Sequence, residues 1–552
     1  MAETQKKTNF IAQGGILALA GIISRIIGML YRIPLMNIIG EQGSGIYSTA
    51  YDIYNIMLLI SSYSLPMAVS KMVSAKLSLK QYRNVWQVLA VSMAFGAALG
   101  LAAAALMYFG AGFLAGTVLS MPRAVLAVRL LAPTVFIMGM LGVLRGFFQG
   151  HGTMVPTAVS QILEQIIHVG VSIAAAHILF NRGLEKEAAG SQMTAPAYGA
   201  AGATIGTGVG ALAALLFVGF IFLLYRKTLV RRCRRDVSGV LDTPGSTLKT
   251  VVITAVPILI SATMANIVNL LDHGIFGAYM GPEQMDLYET LWGAYSGKFI
   301  VLTNVPIAIA TALSASTLPT VSAHMAQGDR EGAMQKAASA IHVITLVALP
   351  ASLALAVLGK PCLDMLFRST DNTLAGQMLL AGFAMVIGFS LSAVSVGILQ
   401  GSGLFWVPIR NYAVSLAIHV PLLALALFVL KTGILGVVVC NASFGLCSSV
   451  LNIISMHRKL GYRQELKRTF GLVLAASVIM AAAAFGIYKG LYALHFGNTI
   501  SMMVCIVLAL IIYFAAILLL GAVNEEELRS MPKGGALVSA AKKLRLLRQE
   551  EA

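Results

Sequence analysis

Long apolar runs broken by short polar stretches recur along the whole chain. A run of about 20 mostly apolar residues crosses a bilayer as a helix, and about fourteen such runs follow one another here. In the first half they lie near 10–39, 46–75, 85–109, 124–149, 154–180 and 197–225. In the second they lie near 249–279, 287–322, 335–359, 373–400, 406–430 and 434–456, with two more near 469–493 and 499–521. The pattern predicts an all-α integral membrane protein. It divides into a six-helix lobe over 1–225, a linker over 226–248, a second six-helix lobe over 249–458, two further helices over 459–523 and a tail over 524–552.

The two halves echo each other. "FFQGHGTMVP" at 147–156 is answered by "ILQGSGLFWVP" at 398–408, so that Gln149 and Gly150 match Gln400 and Gly401 at an offset of 251. Gly40 and Tyr47 match Gly281 and Tyr288 at 241, and Pro66 matches Pro306 at 240. Each match is weak alone, because Gly and Pro are common in membrane helices, but their order is kept. Six spans, a basic linker and six spans of the same orientation predict a parallel duplication, the arrangement of carriers built around a central cavity.

Composition agrees: 58% of the residues are hydrophobic and 11% charged, with a mean hydropathy of +0.83, outside the soluble range. The net charge of +17 does not indicate nucleic acid, because the cations collect in alternate loops. Lys6 and Lys7, then Lys76, Lys80 and Arg83, then the arginine-rich stretch 226–235, then Arg458 to Arg468, then the tail form one set. By the positive-inside rule these loops and both termini are expected in the cytoplasm, facing anionic lipid. Lys6-Lys7 followed by "ALAG" imitates a signal peptide with Ala18 and Ala20 as its cleavage pattern. The apolar run continues to Ile39, which favours a retained span. Five cysteines lack metal-ligand or CxxC spacing. The tail segment Leu537 to Leu547 alternates apolar and basic residues, fitting either the membrane surface or a solvated tail.

Polar side chains inside spans are the candidate functional residues, since a charge at mid-bilayer costs about 2.5–3.5 kcal/mol on insertion scales. Arg25 and Arg32 in "SRIIGMLYRIP" share one helix face about 10 Å apart along the axis. Arg25 is mid-span and expected to face a cavity. Arg32 is either a second ligand or an anchor that snorkels to the interface. Arg145 ends the fourth span, while Gln161, Glu164, Gln165 and His168 lie on the fifth; they are candidates for substrate contact or for interhelical hydrogen bonds. Asp272 and His273 fall in the seventh span and Lys298 in the eighth. An Asp272–Lys298 pair would be structural, whereas Asp272 alone is a candidate for binding Na+ or a proton.

"LRGFFQGHGTMVPTAVSQILEQI" at 144–166 and the stretch from "SRIIGMLYRIP" through residue 78 resemble the multidrug/oligosaccharidyl-lipid/polysaccharide exporter superfamily. Within it, the likeness is to the stage V sporulation protein B group and the related lipid II flippases. The resemblance implies a fourteen-helix carrier of the bacterial cytoplasmic membrane that exposes a lipid-linked sugar headgroup alternately to either side. Arginines in its cavity are thought to hold the diphosphate. Arg25 matches the first-helix arginine of that group. Arg32 does not match cleanly, since the chain has Tyr31-Arg32-Ile33 where those flippases carry Arg-Asp one residue earlier. Arg145, Glu164 and Lys298 complete the candidate headgroup set. The resemblance also implies cation binding by Asp272, with Asn411 and Ser415 on the eleventh helix.

The expected function is therefore movement of an undecaprenyl-diphosphate-linked glycan, lipid II or a related precursor, from the inner to the outer leaflet. Alternatives are export of another lipid-linked oligosaccharide, cation-coupled drug antiport, or a non-transporting scaffold in cell-wall or spore assembly. Cell-wall synthesis proteins are possible partners. No cofactor is expected beyond coupling to Na+, H+ or the membrane potential. The chain lacks a P-loop, a His-Glu metal cluster and a large loop with paired acids, which argues against an ATP-driven pump and an enzyme.

Overall fold

The computed structural model describes residues 17–543 except 18, 22, 192, 237, 369 and 531–533. Lys6, Lys7, Ala18 and tail residues 544–547 lie outside the described residues. The described chain is helical throughout and contains no strand. Backbone polar groups in hydrocarbon must be satisfied within each spanning segment, which helices achieve.

The helices in order are α1 (Leu19–Leu30), α2 (Arg32–Leu58), α3 (Leu65–Ser78), α4 (Tyr82–Phe109), α5 (Val125–Gly150), α6 (Val155–Ala188) and α7 (Ala195–Arg234). There follow α8 (Pro244–Met280), α9 (Met285–Ala294), α10 (Ile300–Ala326), α11 (Arg330–Leu366), α12 (Thr373–Ala381), α13 (Phe383–Gly401), α14 (Trp406–Ala424) and α15 (Ile434–Leu460). The chain continues through α16 (Val473–Ala493), α17 (Asn498–Leu519), α18 (Glu525–Ser530) and α19 (Gly534–Lys543). Among the described residues, 12 segments are long and apolar enough to cross a membrane. The short helix α1 and the 37-residue α8 stand where the first and seventh spans are expected.

Packing divides the chain into two compact units, Met1–Gly297 and Lys298–Ala552. Residues 249–297, which the sequence repeat assigns to the second half, pack in the first unit. Common descent and packing are different partitions of one chain, and here they part at α8 and α9.

In the first unit, α3, α4, α5, α7 and α8 share a core containing Val69, Val88, Leu141, Phe147, Val218 and Val251. Lipid is as apolar as such side chains, so close approach of backbones carries much of the helix pairing. Gly202, Gly206 and Gly210 on α7 meet Ala175, Ser172 and the Glu164 carbonyl of α6, leaving no room for a Cβ. This small-xxx-small stripe presses α6 onto α7 and fixes the face that carries Glu164 and His168. In the same way Gly45 of α2 lies on the Glu289 carbonyl of α9, while Gly293 of α9 lies on the Glu41 carbonyl of α2.

The basic linker is strapped down. Asn84, 1% exposed, donates to the Val240 carbonyl at 3.1 Å and accepts from the Asp242 amide at 2.9 Å. Gln87 donates to the Asp242 carbonyl at 2.7 Å, and Lys76 pairs with the Asp242 carboxylate at 2.5 Å. At the near end, the Arg83 amide donates to Asp236 at 2.8 Å.

In the second unit, α10, α11, α13 and α15 form a core around Ile341, Val394, Ile398 and Met456. The added helices α16 and α17 pack on α11 through Met480, Ala484, Met502 and Cys505 against Leu346 and Leu349. The tail joins this cluster: Leu528 and Val538 are buried in it, and Lys542 reaches Glu525 at 2.9 Å. The described part of the tail therefore folds back on its own unit.

The duplication is visible in backbone detail. Gly40 interrupts α2 and Gly281 ends α8 with nearly the same dihedrals, φ 69°, ψ −176° and φ 70°, ψ 172°. Gly152 and Gly403 take φ 78° and 79°, a left-handed turn that glycine enters without strain. Their amides donate to the Gln149 and Gln400 carbonyls at 2.9 and 3.0 Å. The proline match does not follow the packing. Gly146 and Gly150 rest on Pro66 and Ser70, whereas Gly397 and Gly401 rest on Ser314 and Leu318. Packing thus aligns Pro66 with Ser314, and Pro306 stands eight residues earlier on α10.

Candidate substrate site

Three arginines were expected at the headgroup, and the structure gives them three different environments. The α1–α2 segment continues through Tyr31, whose amide bonds the Ile27 carbonyl and whose carbonyl accepts the Leu35 amide, both at 3.1 Å. Arg25 on α1 is exposed and has no hydrogen bond or ion pair among the described residues. Gly28, between the arginines, lets the Gln165 side chain of α6 come close. Arg32 is half-buried and donates through Nη1 to the Ser296 carbonyl at 3.2 Å.

Arg145 is 8% exposed and already committed. Its Nε donates to Ser160 Oγ at 2.9 Å and its Nη2 pairs with Glu164 at 2.8 Å. Both residues come from α6, held in place by the glycine stripe of α7. Arg145 and Glu164 thus neutralise one another in the interhelical role that sequence left open. His168 faces Tyr51 and Thr207, with Nε2 at 3.4 and 3.3 Å from their hydroxyls, and its ring meets that of Tyr31 at 4.8 Å. Tyr31 and Tyr47 bond through their hydroxyls, as do Tyr51 and Thr207. Gln161 Oε1 is buried with no hydrogen-bond partner.

Lys298, in the second unit, is fully buried. It donates to the Asp371 carbonyl at 3.1 Å and lies 5.8 Å from the Phe367 ring centre, an enclosed setting rather than an open headgroup contact. Asp272 is fully buried in the first unit. Asn411 donates to Asn452 at 2.8 Å and Ser455 at 3.1 Å, its Oδ1 accepts from Arg410 at 3.1 Å, and Ser415 donates to the Asn411 carbonyl at 2.9 Å. A guanidinium on the Asn411 oxygen opposes a metal cation there. Among the described residues no three His, Cys, Asp or Glu side chains converge as a metal-holding group.

Two polar clusters of the first unit were not anticipated. Asp52 on α2 accepts from His273 Nδ1 at 2.7 Å, and His273 Nε2 lies 3.2 Å from Thr49 Oγ1. Trp292 stacks on the His273 ring at 4.0 Å. The second cluster joins Glu289, fully enclosed, to Arg123 at 2.9 Å and Gln42 at 2.8 Å, with Asp286 also on Arg123. Asp52 and Glu289 are acids inside apolar runs, a signal that could have found them and was passed over. Their partners come from distant segments and had no local signal.

Residues 10–325 match the family model described as polysaccharide biosynthesis protein, and residues 294–425 match the MatE model. In Bacillus subtilis (strain 168), an uncharacterized membrane protein, YabM, is 26% identical over 540 residues, 96% of each chain. The lipid II flippase MurJ of that organism is 26% identical over 489 residues, covering 85% of this chain and 86% of its own. Its stage V sporulation protein B is 22% identical over 538 residues, 96% and 99% of the two chains. Among solved structures, an inward closed conformation of a lipid II flippase MurJ shares the fold with a TM-score of 0.63 at 15% identity, over 91% of this chain and 97% of that one. These findings define a multi-span membrane transporter rather than an enzyme. The chain belongs to the polysaccharide biosynthesis protein family of the multidrug/oligosaccharidyl-lipid/polysaccharide exporter superfamily.

Proposed function

We propose that this chain is a flippase that carries an undecaprenyl-diphosphate-linked glycan from the inner to the outer leaflet of a bacterial cytoplasmic membrane, with both termini cytoplasmic. The observation that carries this reading is the contrast among the arginines. Arg145 is neutralised within the protein, while Arg25 has no protein partner among the described residues and Arg32 spends a single donor on a backbone carbonyl. An intramembrane guanidinium left open in this way needs an anionic ligand or a water-filled cavity. Guanidinium forks onto phosphate oxygens bidentately and stays charged at any physiological pH, so a diphosphate is the matching cargo. The similarity to the lipid II flippase MurJ and to stage V sporulation protein B supports a lipid-linked glycan as the class.

Arg25 and Arg32 bind the diphosphate from the cytoplasmic side, and the two duplicated halves rock to present it outside. Moving an anion outward across an inside-negative membrane gains about 2.3 kcal/mol per charge per 100 mV, which supplies a driving force without ATP. In vesicles loaded with a labelled lipid-diphosphate-linked disaccharide, Arg25→Ala should abolish protein-dependent flipping and Arg25→Lys should reduce it. Full activity in both variants would refute the diphosphate role.

A further inference from the structure

We propose that Ser48 and Ser296 are positioning residues that aim the Arg32 guanidinium at its anion; the inference rests on the flippase reading above. Ser296 is the second residue of the π-helical turn Tyr295–Phe299, a departure from the regular i→i+4 ladder of the kind that recurs at functional sites. Its carbonyl is the group that holds Arg32 Nη1. Arg32 has five N–H donors in a rigid planar fork, so the direction of that single bond sets the direction of the remaining donors.

What fixes the Ser296 carbonyl is a hydroxyl pair. Ser296 Oγ lies 2.8 Å from Ser48 Oγ and 2.7 Å from the Trp292 carbonyl, and Ser48 Oγ lies 2.9 Å from the Gly45 carbonyl. Both serines are buried, at 8% and 6% exposure. Each hydroxyl has one proton, so two protons serve three short contacts. Two hydroxyl oxygens 2.8 Å apart repel unless a proton lies between them, so either Ser296 donates to Ser48, which donates to Gly45, or Ser48 donates to Ser296, which donates to Trp292. In both arrangements the Ser48–Ser296 bond persists and ties α2 to the turn that follows α9. Without Ser48, the Ser296 hydroxyl keeps only the Trp292 carbonyl of its own helical segment, and this hydrogen bond between Ser296 and α2 is lost. The neighbouring contact of Gly45 with the Glu289 carbonyl holds α2 close to α9 at that crossing.

The test is a double-mutant cycle on the full chain in detergent, reading the affinity for a short-chain prenyl-diphosphate-linked disaccharide. Ser48→Ala and Ser296→Ala should each weaken binding about threefold or more. In an Arg32→Gln background neither should weaken it further. Losses that multiply fully with Arg32→Gln would show that the serines act elsewhere and overturn the positioning role, while the flippase reading stands. If Arg32→Gln itself binds like the parent, Arg32 is not a ligand and both the positioning role and the assignment of Arg32 in the flippase reading fall. Should Ser296→Ala not purify, Ser48→Ala with Ser48→Cys completes the same cycle.

Discussion

At the scale of single residues, the arginines separate into spent and unspent charges. Arg145 and Glu164 form a largely enclosed ion pair, with side chains 10% and 17% exposed. Removing one partner of a buried pair leaves an uncompensated charge and costs about 3–5 kcal/mol, while replacing both with apolar residues is often neutral. Arg145→Met and Glu164→Leu should therefore each lower the thermal stability of the purified protein, and the double variant should recover most of it. A double variant as unstable as the worse single one would assign the pair a further role. Sequence alone brought Arg25, Arg32, Arg145 and Glu164 to notice, because a charge in an apolar run is visible without coordinates. Which of them was already neutralised was not visible, since Arg145 meets Glu164 across two helices and Arg32 meets a carbonyl 264 positions away.

At the scale of elements, glycine contacts and a docked linker do the organising. A methyl on Gly293 would fall on the Glu41 carbonyl, and overpacking of this kind costs about 1–3 kcal/mol or more. Gly293→Ala should lose stability on heating. Gly486→Ala on α16, where nothing lies within 4 Å of the added methyl, should instead gain up to about 1 kcal/mol from helix propensity. Equal behaviour of the two would refute the close crossing of α2 and α9. The linker strap is tested by proteolysis: Asn84→Ala should speed tryptic cleavage after Arg235, at the end of α7, and an unchanged rate would mean that the strap does not hold the segment that follows. Asp236 adds a pH signature. The Arg83 amide and then Ser238 hold its carboxyl below the usual carboxylate range. A depressed carboxyl contributes its stabilisation above its unfolded value of about 3.9 and loses it as pH falls through the folded value. Protection of the linker by Asp236 should therefore be constant from pH 5 to 8 and fade only in stronger acid. The sequence places a linker over 226–248, whereas α7 runs on to Arg234 and α8 starts at Pro244; the docking of the stretch between them was hidden because Asn84 and Gln87 read as ordinary polar residues at a helix start.

At the scale of the whole molecule, the parallel duplication was legible because glycines that make turns are rare enough to align. Gly152 and Gly403 repeat one hydrogen-bonded turn, as the matching motifs suggested. Pro66 and Pro306 misled because prolines occur at many depths of membrane helices, so a match between two of them carries no packing information. The assignment of α8 and α9 by packing was invisible to hydropathy, which reads each span alone and cannot see which neighbour it meets. The transport cycle also makes a prediction at this scale. If a dianionic diphosphate is the moving charge, an inside-negative potential of 100 mV contributes about 4.6 kcal/mol to export. Collapsing it with an ionophore should slow or stop outward flipping, and potential-independent flipping would mean that the charge is neutralised in transit.

The central claim is that open arginines of the first two helices carry a lipid diphosphate across the membrane. It is tested most directly by outward flipping of a labelled undecaprenyl-diphosphate-linked glycan in sealed vesicles containing the purified chain or its Arg25→Ala variant. Flipping is expected with the parent chain and only protein-free leakage with the variant. Equal rates for the two, or no flipping by the parent of any diphosphate-linked glycan, would contradict it.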